Sequence, residues 1–121
     1  MPPEIRRADR TKEFATQENC FILELANDAS DPGLSIARAR VRPGVSTTWL
    51  RLEGIVERYV IVRGKGRVEV GDLPPTLVSE GDVVRIPANM PQRITNIGDE
   101  DLVFLCVCTP RFDQSAYISG R

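Results

Sequence analysis

Short apolar runs alternate with turn-forming residues along most of the chain. The runs cover residues 20–25, 34–42, 47–52, 57–62, 66–70, 76–78, 82–86, 92–96 and 102–109. Breaks rich in glycine, proline and asparagine separate them, as between neighbouring strands of a sheet. No stretch keeps the 3.6-residue period of a helix. The pattern therefore predicts an all-β domain, either a sandwich or a closed barrel.

The two ends of the chain are more polar than the middle. Residues 1–18 are expected to form an N-terminal arm or a short edge strand, and residues 19–109 the β-barrel. The tail, residues 110–121, is expected to pack over the outside or to fray. A length of 121 residues suits one hydrophobic core rather than two.

Charge and composition narrow the classes of partner. The net charge is −1, which predicts no general attraction to nucleic acid or to an anionic membrane. No apolar run approaches the roughly 20 residues of a membrane span, and residues 1–7 lack the apolar core of a signal peptide. The expectation is a cytoplasmic protein.

The three cysteines give no sign of a disulfide framework. Cys106 and Cys108 are two residues apart on a predicted strand, so they share one face, and parallel side chains of this kind do not suit a disulfide. Two thiolates are also an incomplete metal site. We interpret these residues as small buried apolar groups.

Two other patterns have a structural and a functional interpretation. Arg38, Arg40 and Arg42 alternate with small apolar residues, which indicates a sheet surface paired with acidic neighbours, or alternatively an anion-binding stripe. Gly64 and Gly66 flank Lys65 as in a phosphate loop, but a strand follows instead of a helix. A hairpin turn is the favoured interpretation.

Two blocks of residues carry a resemblance to a known family. In the first, Gly44, Leu50, Leu52, Glu57 and Gly64 have the spacing of the first cupin motif, with leucines at its two histidine positions. The chain resembles the cupins in this block, and the resemblance implies a double-stranded β-helix, also called a jelly-roll barrel.

The second block is similar to the second cupin motif. Gly81, Pro87 and Asn96 stand at its glycine, proline and asparagine positions. Asn89 replaces a glycine of the motif, and Gln92 replaces its histidine. The two blocks together extend over residues 43–96.

The same resemblance implies that the usual metal site has been lost. Metal-dependent cupins hold Fe, Mn, Ni, Cu or Zn with three histidines and a glutamate, and the matching residues here are Leu50, Leu52, Glu57 and Gln92. Imidazole nitrogens supply most of the affinity of such sites, and the chain contains no histidine. We therefore expect no metal and no other cofactor. The absence of histidine also excludes Ser-His-Asp and Cys-His catalysis within the chain, and the His–Asp dyad of metal-free cupin epimerases.

Strand alternation predicts which residues meet inside the barrel. If Glu57 points inward, Tyr59 does so too, Leu50 and Leu52 share the inner face of the preceding strand, and Gln92 enters from the opposite side. A carboxyl group among leucines has a raised pKa, which would suit general acid–base catalysis by Glu57 and Tyr59. Alternatively, an arginine or the Tyr59 hydroxyl neutralises a purely structural Glu57.

Three functions are consistent with these residues. The first is a module that binds a small, partly apolar organic molecule through Leu50, Leu52, Glu57, Tyr59 and Gln92. The second is a metal-free isomerase, cyclase or lyase that uses Glu57 as acid or base. The third is a structural dimer with no ligand. The resemblance implies a homodimer, and exposed strand edges give a physical reason for one.

Overall fold

The structure is a computed structural model that describes all of residues 1–121. Its strands are β1 (Phe14–Ala15), β2 (Phe21–Ala26), β3 (Ser35–Val41), β4 (Leu50–Leu52), β5 (Val56–Arg63), β6 (Lys65–Val70), β7 (Thr76–Ser79), β8 (Val83–Ile86), β9 (Gln92–Asn96), β10 (Leu102–Thr109) and β11 (Tyr117–Ser119). Two short 3-10 helices, Arg10–Lys12 and Gln114–Ala116, flank this set. Neither helix has the length or hydropathy of a membrane-spanning segment.

The strands form two antiparallel sheets that face each other. The six-stranded sheet has the order β1-β2-β3-β10-β5-β8, and the five-stranded sheet has the order β11-β4-β9-β6-β7. Strands far apart in sequence are neighbours, as where β10 lies between β3 and β5. This is the predicted jelly-roll barrel, and the predicted fold class is confirmed.

The strand boundaries follow the sequence pattern closely, with one clear difference. All nine predicted strands are present, but the strand expected over 47–52 is reduced to Leu50–Leu52. The amide and hydroxyl of Thr47 bond to the backbone of Ile94 instead of continuing β4. The hairpin expected at Gly64 is wrong, because β5 and β6 lie in different sheets and do not pair. Gly64, with φ of +91°, instead turns the chain from the larger sheet into the smaller one.

Both ends of the chain contribute strands to the barrel. Phe14 and Ala15 form β1 at the edge of the larger sheet, which agrees with the expectation of an edge strand. The tail contains β11, where Tyr117 pairs with Leu52 and Ser119 pairs with Leu50. The tail thus extends the smaller sheet, an arrangement that its short polar sequence did not indicate.

The arginine stripe lies on the outer face of the larger sheet. Arg40 forms salt bridges with Glu13 at 2.6 Å and Asp101 at 3.0 Å, and Arg38 approaches Glu13 at 3.5 Å. The hydrogen bond from Arg40 is the main reason that the pKa of Glu13 is lowered. The guanidinium of Arg40 also stacks on the Phe21 ring. The expected pairing with acidic neighbours is confirmed.

Aliphatic side chains fill one end of the barrel interior. Val41, Ile61, Ile86, Ile94 and Leu102 are almost completely buried there. Asn96 is buried with them, and its amide donates to the carbonyls of Val41 and Glu100, both at 2.8 Å. Because this end is closed by packing, the space left in the barrel lies at the opposite end.

Candidate functional site

The barrel cavity is a space of about 150 Å³ between the two sheets, at the end away from the aliphatic core. Inward-facing residues of β2, β3, β4, β5 and β10 form most of its wall, since alternate residues of a strand share a face. Glu57 and Tyr59 project into it from β5, and Cys108 and Cys106 lie opposite them on β10.

The structure brings together the residues that strand alternation predicted. Leu50, Leu52, Glu57 and Tyr59 line the barrel cavity, and all four are buried. Gln92 is also buried and pairs with Leu50 across β4 and β9, but it lies behind the cavity wall. Gln92 therefore contacts the site through Glu57 and Tyr59 rather than through the open space.

Glu57 is a buried acid without a cationic partner. Its exposed fraction is 8%, and no arginine or lysine forms a salt bridge with it. The Cys108 thiol donates to Oε2 at 3.7 Å. The pKa of Glu57 is raised to about 7, chiefly by burial and to a smaller extent by the charge of Glu18, although interactions with Gln92 and Cys108 oppose the shift. Neither an arginine nor the Tyr59 hydroxyl neutralises it.

Tyr59 and Gln92 form a buried polar pair behind Glu57. The Tyr59 hydroxyl donates to Oε1 of Gln92, and an interaction with the Gln92 side chain favours the charged form of Glu57. The Tyr59 ring packs against Phe104 with a centroid distance of 4.5 Å. Burial raises the pKa of Tyr59 well above its ordinary value, so the phenol stays protonated and acts as a donor. The Tyr59–Gln92 pair thus forms a polar group next to the buried acid.

Several wall residues were not predicted as part of the site. Phe14 and Glu18 come from the N-terminal segment, and Phe112 and Tyr117 come from the tail. Burial raises the pKa of Glu18. The tail was expected to pack over the outside or to fray, but no sequence signal placed either segment in the cavity wall, because their position depends on strand pairing at the sheet edges.

The cysteines belong to the cavity wall rather than to the packed core alone. Cys20, Cys106 and Cys108 are all free thiols that line it. Burial raises the pKa of each, and that of Cys20 reaches about 11, so all three remain thiols near neutral pH. Cys106 and Cys108 share one face of β10, and β10 pairs with β5. Knowledge of that pairing would have placed both cysteines in the cavity wall.

The donor set does not fit the metal that many cupins hold. The side chains of Leu50 and Leu52 offer only hydrocarbon at two ligand positions, and the Gln92 side-chain oxygen already accepts a hydrogen bond from Tyr59. No group of three or more histidine, cysteine, aspartate or glutamate side chains is arranged to hold a metal ion. Glu57 is the one carboxylate among the four matched positions, and one carboxylate is a poor ligand set.

The fold and the cavity define a small jelly-roll barrel with a buried acid in place of a metal centre. The family model described as "Cupin domain" matches residues 37–108, and the chain belongs to the cupin family. The chain is also 31% identical to the uncharacterized protein MJ1618 of Methanocaldococcus jannaschii over 108 residues. This aligned region covers 88% of this chain and 86% of that protein.

Solved structures with the same fold share little sequence with this chain. KdgF from Halomonas sp. has a TM-score of 0.80 at 16% identity, covering 94% of this chain and 99% of that one. A double-stranded β-helix protein from Klebsiella pneumoniae has a TM-score of 0.79 at 13% identity, covering 98% and 99%. A variant of Streptomyces PAC13 with uridine has a TM-score of 0.81 at 13% identity, covering 99% and 92%. At these identities the similarity shows the fold alone.

Proposed function

We propose that the protein binds a small, partly apolar organic molecule in the barrel cavity without a metal. The observation that carries the proposal is the unfilled space of about 150 Å³ beside Glu57 and Tyr59, in a barrel whose other end is closely packed. Interiors are usually packed to the density of organic crystals, so a space of this size is unusual where there is nothing to bind.

The wall of the cavity suits a molecule with an apolar body and one polar group. Leu50, Leu52 and Phe104 supply apolar surface. Glu57 supplies the polar contact, since a buried carboxyl group with only a thiol and an amide as partners has unused hydrogen-bonding capacity. A hydroxyl or amine on the ligand would use it, and Gln92 would orient Glu57 from behind.

Proton-transfer catalysis is the second candidate, and the pKa of Glu57 is the observation that favours it. At about 7, this group exchanges protons readily near neutral pH, as a general acid or base must. The reaction would then be an isomerisation, cyclisation or elimination. Pac13, which has the same fold at 13% identity, is described as a nucleoside dehydratase, so the fold is compatible with a reaction of this class.

A thermal-shift screen tests the binding proposal. Small metabolites are screened against wild type, Glu57→Gln, Ala37→Leu and the surface control Glu80→Gln. A ligand should raise the melting temperature of wild type and control. It should lose much of its effect in Glu57→Gln, which removes the acid, and in Ala37→Leu, which fills space in the wall. If no compound stabilises wild type and Glu57→Gln is simply more stable, the proposal is wrong and the structural dimer is favoured.

Hydrogen exchange separates the enzyme from the binding module. A ligand found in the screen is incubated with the protein in D₂O, and its carbon-bound deuterium is measured by NMR. A proton-transfer enzyme should label the ligand, or convert it, in wild type and in Glu80→Gln but not in Glu57→Gln. A ligand that binds but is recovered unlabelled and unchanged would exclude this candidate.

A further inference from the structure

We infer that the barrel cavity selects a small organic cation, such as a primary amine with a compact apolar body, over neutral or anionic molecules of the same size. This inference rests on the proposed binding function and names its ligand class. The ligand class can be narrowed because the structure adds Glu18 and Glu24 to the wall, where the sequence did not place them.

All the charged side chains in the cavity wall are acidic. Glu18, Glu24 and Glu57 line it, and no arginine or lysine does. The neighbouring arginines Arg38 and Arg40 are on β3, but strand alternation turns them to the outer face and leaves Ala37 and Ala39 inside. The cavity therefore has a negative potential, which the low dielectric of the interior strengthens.

The acidic groups of the wall lack the cations that pair with other acids of this protein. Glu13, Glu69 and Asp101 all form salt bridges with arginines, whereas Glu18 and Glu57 form none. Glu57 is more than nine-tenths buried and its side chain opens on the cavity. A buried carboxylate is stabilised by an opposite charge, and no cation of this chain faces it.

Glu24 contributes less to this potential than the other two acids. It lies at the exposed edge of the wall, where Arg111 attracts it electrostatically and Asn27 interacts with it. Glu18 and Glu57 therefore dominate the negative charge of the wall, and the charge of Glu18 is one cause of the raised pKa of Glu57. An ammonium group between them would offset that charge.

The rest of the wall fits the body of such a ligand. Five aromatic rings line the cavity, those of Phe14, Tyr59, Phe104, Phe112 and Tyr117. Ring faces attract cations as well as hydrocarbon. A cavity of about 150 Å³ holds a molecule of about the size of benzene. The geometry therefore fits a compact amine and excludes a nucleotide or an oligosaccharide.

Three probes of the same shape test the charge preference. Cyclohexylamine, cyclohexanol and cyclohexanecarboxylate are titrated into the protein by calorimetry at pH 7.5. The amine should bind at least about tenfold more tightly than the alcohol, which is about 1.4 kcal/mol. The carboxylate should show no binding, because three acids repel it.

Two variants show whether the preference arises from the wall. Glu18→Gln changes a half-buried residue of the N-terminal segment, so the fold should be retained. It should remove most of the advantage of the amine and leave alcohol binding unchanged, while the exposed control Glu80→Gln should alter neither. Equal binding of amine and alcohol to wild type would overturn this inference and leave the binding proposal intact. Binding of no probe would also overturn it, and the wider screen would then decide the binding proposal separately.

Discussion

The thiol of Cys108 donates a hydrogen bond to Oε2 of Glu57, with 3.7 Å between the sulfur and the oxygen. The two residues are directly paired across β10 and β5, so the contact follows from the register of the larger sheet. It connects a cysteine that the sequence suggests is an inert core residue to the acid at the centre of the cavity.

Two substitutions should move the pKa of Glu57 in opposite directions. Cys108→Ala removes a donor to the charged form and should raise the pKa. Glu18→Gln removes a neighbouring negative charge and should lower it. The side-chain carboxyl carbon of Glu57, followed by ¹³C NMR across a pH titration, measures both shifts. Shifts of the same sign in the two variants would contradict the placement of Cys108 as a donor to Glu57 and of Glu18 as a neighbouring charge.

The stability of the protein should depend on pH through Glu57. Its pKa is about 7 in the folded protein, against an ordinary value of 4.5. Between these values the folded state holds a proton that the unfolded state has lost, so the free energy of unfolding should fall as pH rises from 4.5 through 7. The loss should approach about 3 kcal/mol, since each pKa unit is worth about 1.4 kcal/mol.

Urea denaturation at pH 5 and pH 8 measures this effect in wild type and in Glu57→Gln. The neutral amide cannot ionise, so most of the difference between the two pH values should disappear in the variant. Glu80→Gln, on the protein surface, should keep the wild-type difference. A Glu57→Gln profile identical to wild type would show that Glu57 titrates normally.

The Tyr59–Gln92 pair should behave as a coupled unit. Tyr59→Phe leaves the buried Oε1 of Gln92 without its donor and should destabilise the protein by about 1–3 kcal/mol. Gln92→Met alone should also destabilise it. The double variant should be more stable than the sum of the two losses predicts, because neither polar group is then left unpaired. Chemical denaturation of all four proteins gives the coupling energy.

Restoring histidines should create a metal site. In the variant Leu50→His, Leu52→His, Gln92→His, three imidazoles join Glu57 at the four matched positions, and the variant should bind Ni²⁺ or Zn²⁺ tightly. Elemental analysis after dialysis should find about one metal ion per chain in the variant and no stoichiometric metal in wild type. Three polar rings in an apolar wall should lower stability by several kcal/mol in the absence of metal. Stoichiometric metal in wild type that is lost in Glu57→Ala would refute the metal-free interpretation.

We propose that the protein is a homodimer formed through the outer face of the larger sheet. Leu105, Val60 and Val83 are neighbours across β10, β5 and β8, and Val83 and Val62 have exposed fractions of 63% and 43%. Analytical ultracentrifugation should show a dimer for wild type and a monomer for the double variant Val62→Lys, Val83→Lys. Leu77→Lys, which changes a 67% exposed leucine of the smaller sheet, should remain dimeric. If wild type, the double variant and Leu77→Lys all sediment alike, the outer face of the larger sheet is excluded as the dimer interface.

The sequence by itself determined the barrel and the replacement of the histidines at the cupin ligand positions. Alternating apolar runs and turn residues are local signals, and they placed nine strands with small boundary errors. Period-two alternation placed Glu57 and Tyr59 on one face of a strand and Leu50 and Leu52 on one face of the preceding strand. The resemblance to the first cupin motif then implied that these faces point inward, without any knowledge of the sheet order. The absence of histidine followed from composition alone.

Only the tertiary structure decided what surrounds Glu57. The pairing of β1 with β2 and of β11 with β4 brings Glu18 and Tyr117 into the wall, and the register of β10 on β5 places Cys108 opposite Glu57. Short strands at sheet edges carry little periodicity, and their partners are distant in sequence, so no local pattern specifies them. The charge of the cavity, and with it the class of ligand inferred for it, depends on those long-range contacts.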